Sequence, residues 1–133
     1  MTALAQAKIL IVDDNPMNIA ISQVVLQANN FEIDSASNAV EAQLRVAAFE
    51  PDLILMDVQM PGMDGLELTR SLKANPTTRH IVIVAFTAFA MRGDEAKMLA
   101  AGCDGYLSKP IDVKKFGAQV RACLETARPG LSS

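Results

Sequence analysis

The most restrictive feature of this 133-residue sequence is a set of short, continuous apolar runs that each end at a polar residue. The runs Lys8 to Val12, Leu53 to Met56 and Ile81 to Phe86 contain almost no polar side chain, which does not fit strands with one solvated face. Strands buried on both faces occur in parallel sheets that helices cover from either side. The runs therefore predict an α/β domain.

Segments with helical spacing and capping signals separate these runs. Pro16 suits a first helical position, and the helical pattern that follows it stops at Asn29. Asn38 with Glu41 three residues later is a capping-box arrangement, which predicts a helix to about Phe49. Further helices are predicted over Leu66 to Lys73, over Met91 to Ala101, and from a cap at Asp112 to about Thr126, with shorter strands at Phe31 to Ala36 and Tyr106 to Ser108.

Alternation of strands and helices predicts a doubly wound, five-stranded parallel sheet. The leading topology is the flavodoxin-like (βα)5 arrangement with strand order 2-1-3-4-5, although other doubly wound orders remain open. The length suits one domain. We expect an N-terminal extension at 1–7, the domain at 8–126 and a C-terminal tail at 127–133.

Composition excludes several classes of function. The apolar runs are too short to cross a bilayer and the first residues lack a signal peptide, so a cytoplasmic protein without a membrane role is expected. A net charge of -3 without a basic cluster argues against direct nucleic-acid binding. Cys103 and Cys123 form no C-x-x-C pair and lie far from His80 in sequence, so neither a zinc site nor a redox dithiol is expected.

Polar residues follow four of the predicted strands at their carboxyl ends. Asp13 and Asp14 follow the first strand, Asp57 the third, Thr87 the fourth and Lys109 the fifth. Taken singly, each fits an ordinary cap, turn or solvated charge. In an open α/β sheet, however, these ends face one crevice, so the side chains are expected to converge.

Converging carboxylates repel one another unless a cation lies among them. Oxygen ligands without histidine or cysteine favour Mg²⁺. Asp57 can then act as a nucleophile toward phosphorus, while the metal and Lys109 stabilise charge on the transferring oxygens and Thr87 donates a hydrogen bond. The pattern predicts Mg²⁺-dependent formation of an aspartyl phosphate.

Four motifs in this order resemble the receiver domains of two-component response regulators: Ile9 to Asp14 (ILIVDD), Leu53 to Gly65 (LILMDVQMPGMDG), Ala85 to Ala88 (AFTA) and Tyr106 to Pro110 (YLSKP). The resemblance implies that Asp57 is the phosphoacceptor. It places Asp13, Asp14 and the backbone carbonyl of Gln59 at the metal. It also implies that Thr87 and Lys109 sense the phosphoryl group, that Tyr106 is a switch aromatic, and that Pro110 follows a cis peptide bond.

The same resemblance implies protein partners. A histidine kinase or a histidine phosphotransfer protein would dock on the first helix, with Asn15, Met17, Asn18 and Ile21 as candidate contacts. A downstream effector would read helix four, strand five and helix five, where Met91, Met98 and Lys115 are candidates. The chain is expected to be a monomer or a weak, phosphorylation-dependent dimer.

The function expected is that of a signalling switch and not of an enzyme acting on other substrates. A receiver module excised from a hybrid histidine kinase and a phosphate-independent binding module remain alternatives. A phosphatase of the haloacid-dehalogenase type needs a second aspartate where this chain has Gln59. A flavin- or nucleotide-binding module is disfavoured because the glycine-rich phosphate motifs do not occur.

Overall fold

The computed structural model of the chain describes residues 7–57, 65–87, 92–108 and 112–127. In chain order the elements are β1 (Lys8–Val12), α1 (Pro16–Ala28), β2 (Glu32–Ala36), α2 (Ala39–Phe49), β3 (Leu53–Asp57), α3 (Gly65–Ala74), β4 (Val82–Thr87), α4 (Arg92–Ala101), β5 (Gly105–Ser108) and α5 (Phe116–Ala127). The strands form one parallel sheet in the order β2-β1-β3-β4-β5. The predicted fold class and strand order are confirmed.

The start of the last helix differs from the sequence-based prediction. Asp112 opens a turn and not the helix itself, because its Oδ1 accepts from the Lys114 N–H at 3.0 Å and its carbonyl from the Lys115 and Phe116 N–H groups at 2.9 and 2.8 Å. Helix α5 begins only at Phe116. None of the helices that the structure describes has the length and apolar composition needed to cross a bilayer.

The predicted cap of α2 is present, with one change of partner. The Asn38 Oδ1 accepts from the Glu41 N–H at 2.8 Å. The Glu41 carboxylate returns to Ser37 and not to Asn38, accepting from its N–H at 2.6 Å and its hydroxyl at 3.1 Å. These two bonds, with a smaller contribution from Arg45, lower the pKa of Glu41. Hydrogen bonds with Ser37 and Asn38 therefore hold the first turn of α2 in place.

Two separate hydrophobic clusters cover the two faces of the sheet, as continuous apolar strands require. Leu10, Ile54 and Ile83 point to the face that α2, α3 and α4 cover. Ile9, Leu55 and Val84 point to the opposite face, under α1 and α5. Each central strand therefore contributes alternate side chains to both clusters, which holds its carboxyl end in a fixed place.

A partly exposed ion pair joins α3 to the amino end of β5. The Lys73 Nζ lies 2.8 Å from the Asp104 Oδ2 and also donates to the Ile81 carbonyl at 2.7 Å. The same Asp104 oxygen accepts from the Ile83 N–H at 2.8 Å, and the Asp104 N–H donates to the Ile83 carbonyl at 2.7 Å. Asp104 therefore ties the start of β5 to both α3 and β4.

Helices α1 and α5 approach so closely that only glycine fits at position 117. An ideal Cβ at Gly117 would overlap the Cγ, Nδ2 and Oδ1 atoms of Asn29. Asn29 is held in place, because its side-chain amide donates to the Val25 carbonyl at 2.8 Å and its own carbonyl accepts from Arg121 at 2.9 Å. The Arg121 guanidinium also lies over the Phe31 ring, 5.0 Å from its centroid.

We expect Gly117→Ala to destabilise the domain by about 1–2 kcal/mol, because displacing Asn29 outweighs the better helix propensity of alanine. The free energy of unfolding in urea measures the change. Gly105→Ala is the matched control, since a Cβ there would meet only the Cys123 Sγ, at an ordinary 3.8 Å. An equal effect of the two substitutions would show that the contact with Asn29 does not restrict position 117.

Burial makes the two free cysteines poor nucleophiles. It raises the pKa of the Cys103 thiol, more than a hydrogen bond with Thr69 lowers it, and it raises the pKa of Cys123 as well. At a given pH less thiolate is present, so iodoacetamide should alkylate Cys103 at least about tenfold more slowly in the folded than in the unfolded chain. Mass spectrometry over time measures both rates. Equal rates would contradict the prediction.

Candidate metal centre

The register of the sheet brings the sequence-predicted aspartates to one edge. Val12 pairs with Met56 across β1 and β3, so the residues that follow them in the chain, Asp13 and Asp57, are neighbours. Asp57 pairs in turn with Phe86, the residue before Thr87. The carboxyl ends of β1, β3 and β4 therefore lie side by side at one edge of the sheet, as the sequence predicts.

Three carboxylates converge at this edge. One carboxylate oxygen from each of Asp13, Asp14 and Asp57 lies within 4.8 Å of the other two. Asp13 is only 1% exposed and Asp57 only 5%, whereas Asp14 is exposed. Such carboxylates repel one another in surroundings of low polarity, and a bound cation removes that repulsion.

The loop that carries two of these aspartates is held by local hydrogen bonds. The Asp13 N–H donates to the Ala36 carbonyl at 3.0 Å, and the Asp13 Oδ1 accepts from the Asn15 N–H at 2.9 Å. Asn15 is the N-cap of α1, because its Oδ1 accepts from the Met17 and Asn18 N–H groups at 2.9 and 3.4 Å. An asparagine before a proline at the first helical position is a signal for such a cap.

This donor set fits Mg²⁺. The ligand atoms are carboxylate oxygens, two from largely buried side chains and one from an exposed side chain that leaves the site open to water. Mg²⁺ is bound in proteins by one or two carboxylates together with water and phosphate oxygens. The group of Asp13, Asp14 and Asp57 therefore has the chemistry and spacing of a magnesium site.

The other predicted site residues are described only in part. Thr87 is the last residue of β4 and pairs with Ser108, the last residue of β5, so these two strands end side by side. Gln59, Lys109, Pro110 and Met91 lie outside the described residues. Tyr106 is exposed and pairs with Ala85 of β4, two residues before Thr87.

The candidate contacts on α1 are accessible, and one predicted effector contact is not. Met17 and Ile21 are exposed and Asn18 is half-buried, while Asn15 and Lys115 are exposed at the ends of their loops. Met98, which the sequence placed on the surface of α4, is only 1% exposed and belongs to the cluster beneath α2, α3 and α4. Met98 as a partner contact is therefore wrong in this structure, because its side chain fills the core.

Comparison with known proteins identifies the family. The family model described as the response regulator receiver domain matches residues 9–121. This chain belongs to the response regulator receiver family. Receiver domains are signalling switches of two-component systems, and the acidic group at the carboxyl ends of β1 and β3 fits their Mg²⁺ site.

Individual relatives agree with this family. The polar-differentiation response regulator DivK of Brucella anthropi is 40% identical over 119 residues, which cover 90% of this chain and 97% of DivK. The chemotaxis response regulator CheY4 of Vibrio cholerae shares the fold, with a TM-score of 0.83, 24% identity and coverage of 89% and 98% of the two chains. The receiver domain of a signal transduction histidine kinase from Syntrophus aciditrophicus is 30% identical, with a TM-score of 0.80 and 92% of each chain covered.

Proposed function

We propose that this receiver accepts a phosphoryl group from a phosphohistidine donor onto Asp57 in a Mg²⁺-dependent reaction and signals by protein contact. The observation that carries the proposal is the placement of the largely buried Asp57 carboxylate within 4.8 Å of those of Asp13 and Asp14. Carboxylates this close together repel one another, and a bound cation would reduce that repulsion. The same cation would lie beside the phosphoryl acceptor.

In the proposed reaction, an Asp57 carboxylate oxygen attacks phosphorus as the phosphorus–nitrogen bond of the donor breaks. The donor imidazole leaves with the electron pair of that bond. Asp13, Asp14, Asp57 and the backbone carbonyl of Gln59 would hold Mg²⁺, which would supply positive charge to the transferring oxygens. The Lys109 ammonium and the Thr87 hydroxyl are proposed as their other partners.

The switch is proposed to run along β4 and β5. Thr87 moves toward the phosphoryl group, and the exposed Tyr106 ring turns inward to the space that Thr87 leaves. Tyr106 pairs with Ala85 of β4, a small residue two positions before Thr87. Pro110, after a cis peptide bond, is proposed to aim Lys109.

Two surfaces are proposed for partners. A histidine kinase or a histidine phosphotransfer protein docks on α1, at Asn15, Met17, Asn18 and Ile21, beside the crevice that holds Asp57. A downstream effector reads α4, β5, α5 and the residues just before the two helices, where the candidates are Met91 and the exposed Lys115. The exposed side chains of Leu99 and Val113 add apolar area to this second surface.

The receiver unit is proposed to span residues 8–126 and to act in the cytoplasm as a regulator of its own. The coverage of 97% of DivK, a response regulator by name, favours this form. A module from a hybrid histidine kinase remains the second candidate, because a kinase receiver from Syntrophus aciditrophicus is 30% identical.

Labelling with acetyl phosphate tests the proposal. We expect the chain to take up phosphate only with Mg²⁺, as an acid-stable and base-labile adduct, and peptide mapping should place the label at the end of β3. The chain has one tyrosine and no tryptophan, so tyrosine fluorescence with beryllium fluoride reports on Tyr106 alone. Absence of labelling would leave a phosphate-independent binding module as the function.

A further inference from the structure

Helix α2 carries an apolar stripe on the face that points away from the sheet. The exposed residues Val40, Leu44, Ala47 and Ala48 lie four, seven and eight positions apart, which places them on one side of the helix. Val40 is 70% exposed and Leu44 66%. The opposite side of α2 already packs on the core through Ala42 and Val46. The stripe is therefore not needed to bury the sheet.

Opposite charges lie along one flank of this stripe. Glu41 and Arg45 are four residues apart, so they follow one another along the same side of α2. The Arg45 guanidinium reaches the Asp34 carboxylate at 3.6 Å and remains 47% exposed in its side chain. Arg45 thus keeps much of its surface available for a second acidic partner.

We propose that α2 pairs with α2 of a second copy of this chain, antiparallel and about a two-fold axis level with Gln43 and Leu44. In such a pair the same flanks of the two helices face each other, so Glu41 of each copy meets Arg45 of the other. In a two-fold interface every contact occurs twice, and the contact between Glu41 and Arg45 meets this requirement. The stripe residues Val40 and Ala47 then pack across the interface against each other.

On the other flank of the stripe, no row of like charges would face its copy across the interface. A groove of about 520 Å³ runs beside it, lined by Gln43, Val46, Ala47, Glu50, Ser71, Leu72, Asn75, Thr77 and Thr78. Its polar groups are amides and hydroxyls, apart from Glu50 at the end of α2. On this flank Gln43 lies closest to the proposed axis, so Gln43 of one copy can form a hydrogen bond with Gln43 of the other.

The pairing leaves the proposed signalling surfaces open. Helix α2 lies on the face of the sheet opposite to α1 and α5, and β2 lies at the edge opposite to β5. A dimer through α2 therefore keeps α1 and the β5 edge exposed in both copies. It forms without phosphorylation, because none of its contacts is at the carboxyl ends of β1, β3 and β4.

Sedimentation equilibrium of the whole chain tests the pairing. The short helix gives an interface at the low end of the range for proteins, so we expect a dissociation constant of the order of 0.1 mM. Val40→Asp and Leu44→Asp should each weaken the dimer at least about tenfold, because each buries a charge at the interface. Val40→Asp lies in the first turn of α2, where a carboxylate favours the helix, so folding is preserved.

Val24→Asp is the matched control, because Val24 is 67% exposed on α1 and lies outside the stripe. A second test mixes two variants. Arg45→Glu and Glu41→Arg should each dimerise less alone, and together they should form a mixed dimer, since each then offers the charge that the other lacks. A chain that stays monomeric at about 1 mM, a dimer unaffected by Val40→Asp, or a mixture without mixed dimers would overturn the proposal.

Discussion

Asp57→Asn is expected to reduce Mg²⁺-dependent phosphoryl uptake from acetyl phosphate at least about a thousandfold. The amide has nearly the shape of the carboxylate, so β3 and its pairing with β1 and β4 should persist. The amide oxygen is a poor nucleophile and carries no charge. The substitution should therefore slow the attack on phosphorus and leave the fold unchanged.

Initial rates of labelling, measured at a fixed Mg²⁺ concentration, give the size of the effect. Asp34→Asn serves as the control, because Asp34 lies in β2 of the same sheet, where it makes a partly exposed ion pair with Arg45 and accepts from the Ser35 N–H at 2.8 Å. An asparagine oxygen can accept the same hydrogen bond. The control should label like the native chain. Labelling that survives Asp57→Asn would move the phosphoacceptor to another residue.

Asp13→Asn should lower the affinity for Mg²⁺ at least about tenfold, because it removes one of the converging charges and a ligand oxygen. The substitution keeps an acceptor for the Asn15 N–H, so the loop before α1 should hold its shape. In the absence of Mg²⁺ the variant should be more stable than the native chain, since fewer carboxylates repel one another.

Linkage between metal binding and folding provides the measurement. At ten times the dissociation constant, Mg²⁺ should raise the free energy of unfolding of the native chain by about 1.4 kcal/mol. The same concentration should give the variant about 0.4 kcal/mol or less. Asp52→Asn, at the opposite end of the sheet, still accepts from the Lys8 N–H and should respond like the native chain. A response of Asp13→Asn equal to the native one would exclude Asp13 as a ligand.

The sequence was most informative about the centre of the sheet. Runs such as Leu53 to Met56 are apolar on both faces, so their positions and their polar ends follow from burial alone. The meeting of Asp13, Asp14 and Asp57 follows from the strand order, because parallel strands end on one edge. This part of the candidate site was therefore predictable without coordinates.

Helix faces were harder to assign. Met98 has a helical spacing that fits an exposed patch equally well, and only the packing of α4 on the sheet shows that it is in the core. Helix α2 shows the opposite case. In the sequence Val40 and Leu44 look like ordinary helix residues, but in the structure their apolar side chains are exposed. Periodicity gives the width of an apolar face but not which of two apolar faces meets the sheet.

Contacts between distant segments were not predictable. The pair of Lys73 and Asp104 joins residues 31 apart, and neither belongs to a motif. The requirement for glycine at position 117 arises from Asn29, on another helix. Both depend on how helices settle on the sheet, which single-sequence patterns do not contain.

The bonds of Asp104 to Lys73 and Ile83 have a mechanical consequence for β5. They fix the amino end of a strand only four residues long, on which Tyr106 lies two positions further along. We therefore expect a displacement that begins near the carboxyl end of β5 to pivot the strand about Asp104. The amplitude of this displacement should be largest at the carboxyl end of β5. It should decrease toward Asp104, which Lys73 of α3 holds in place.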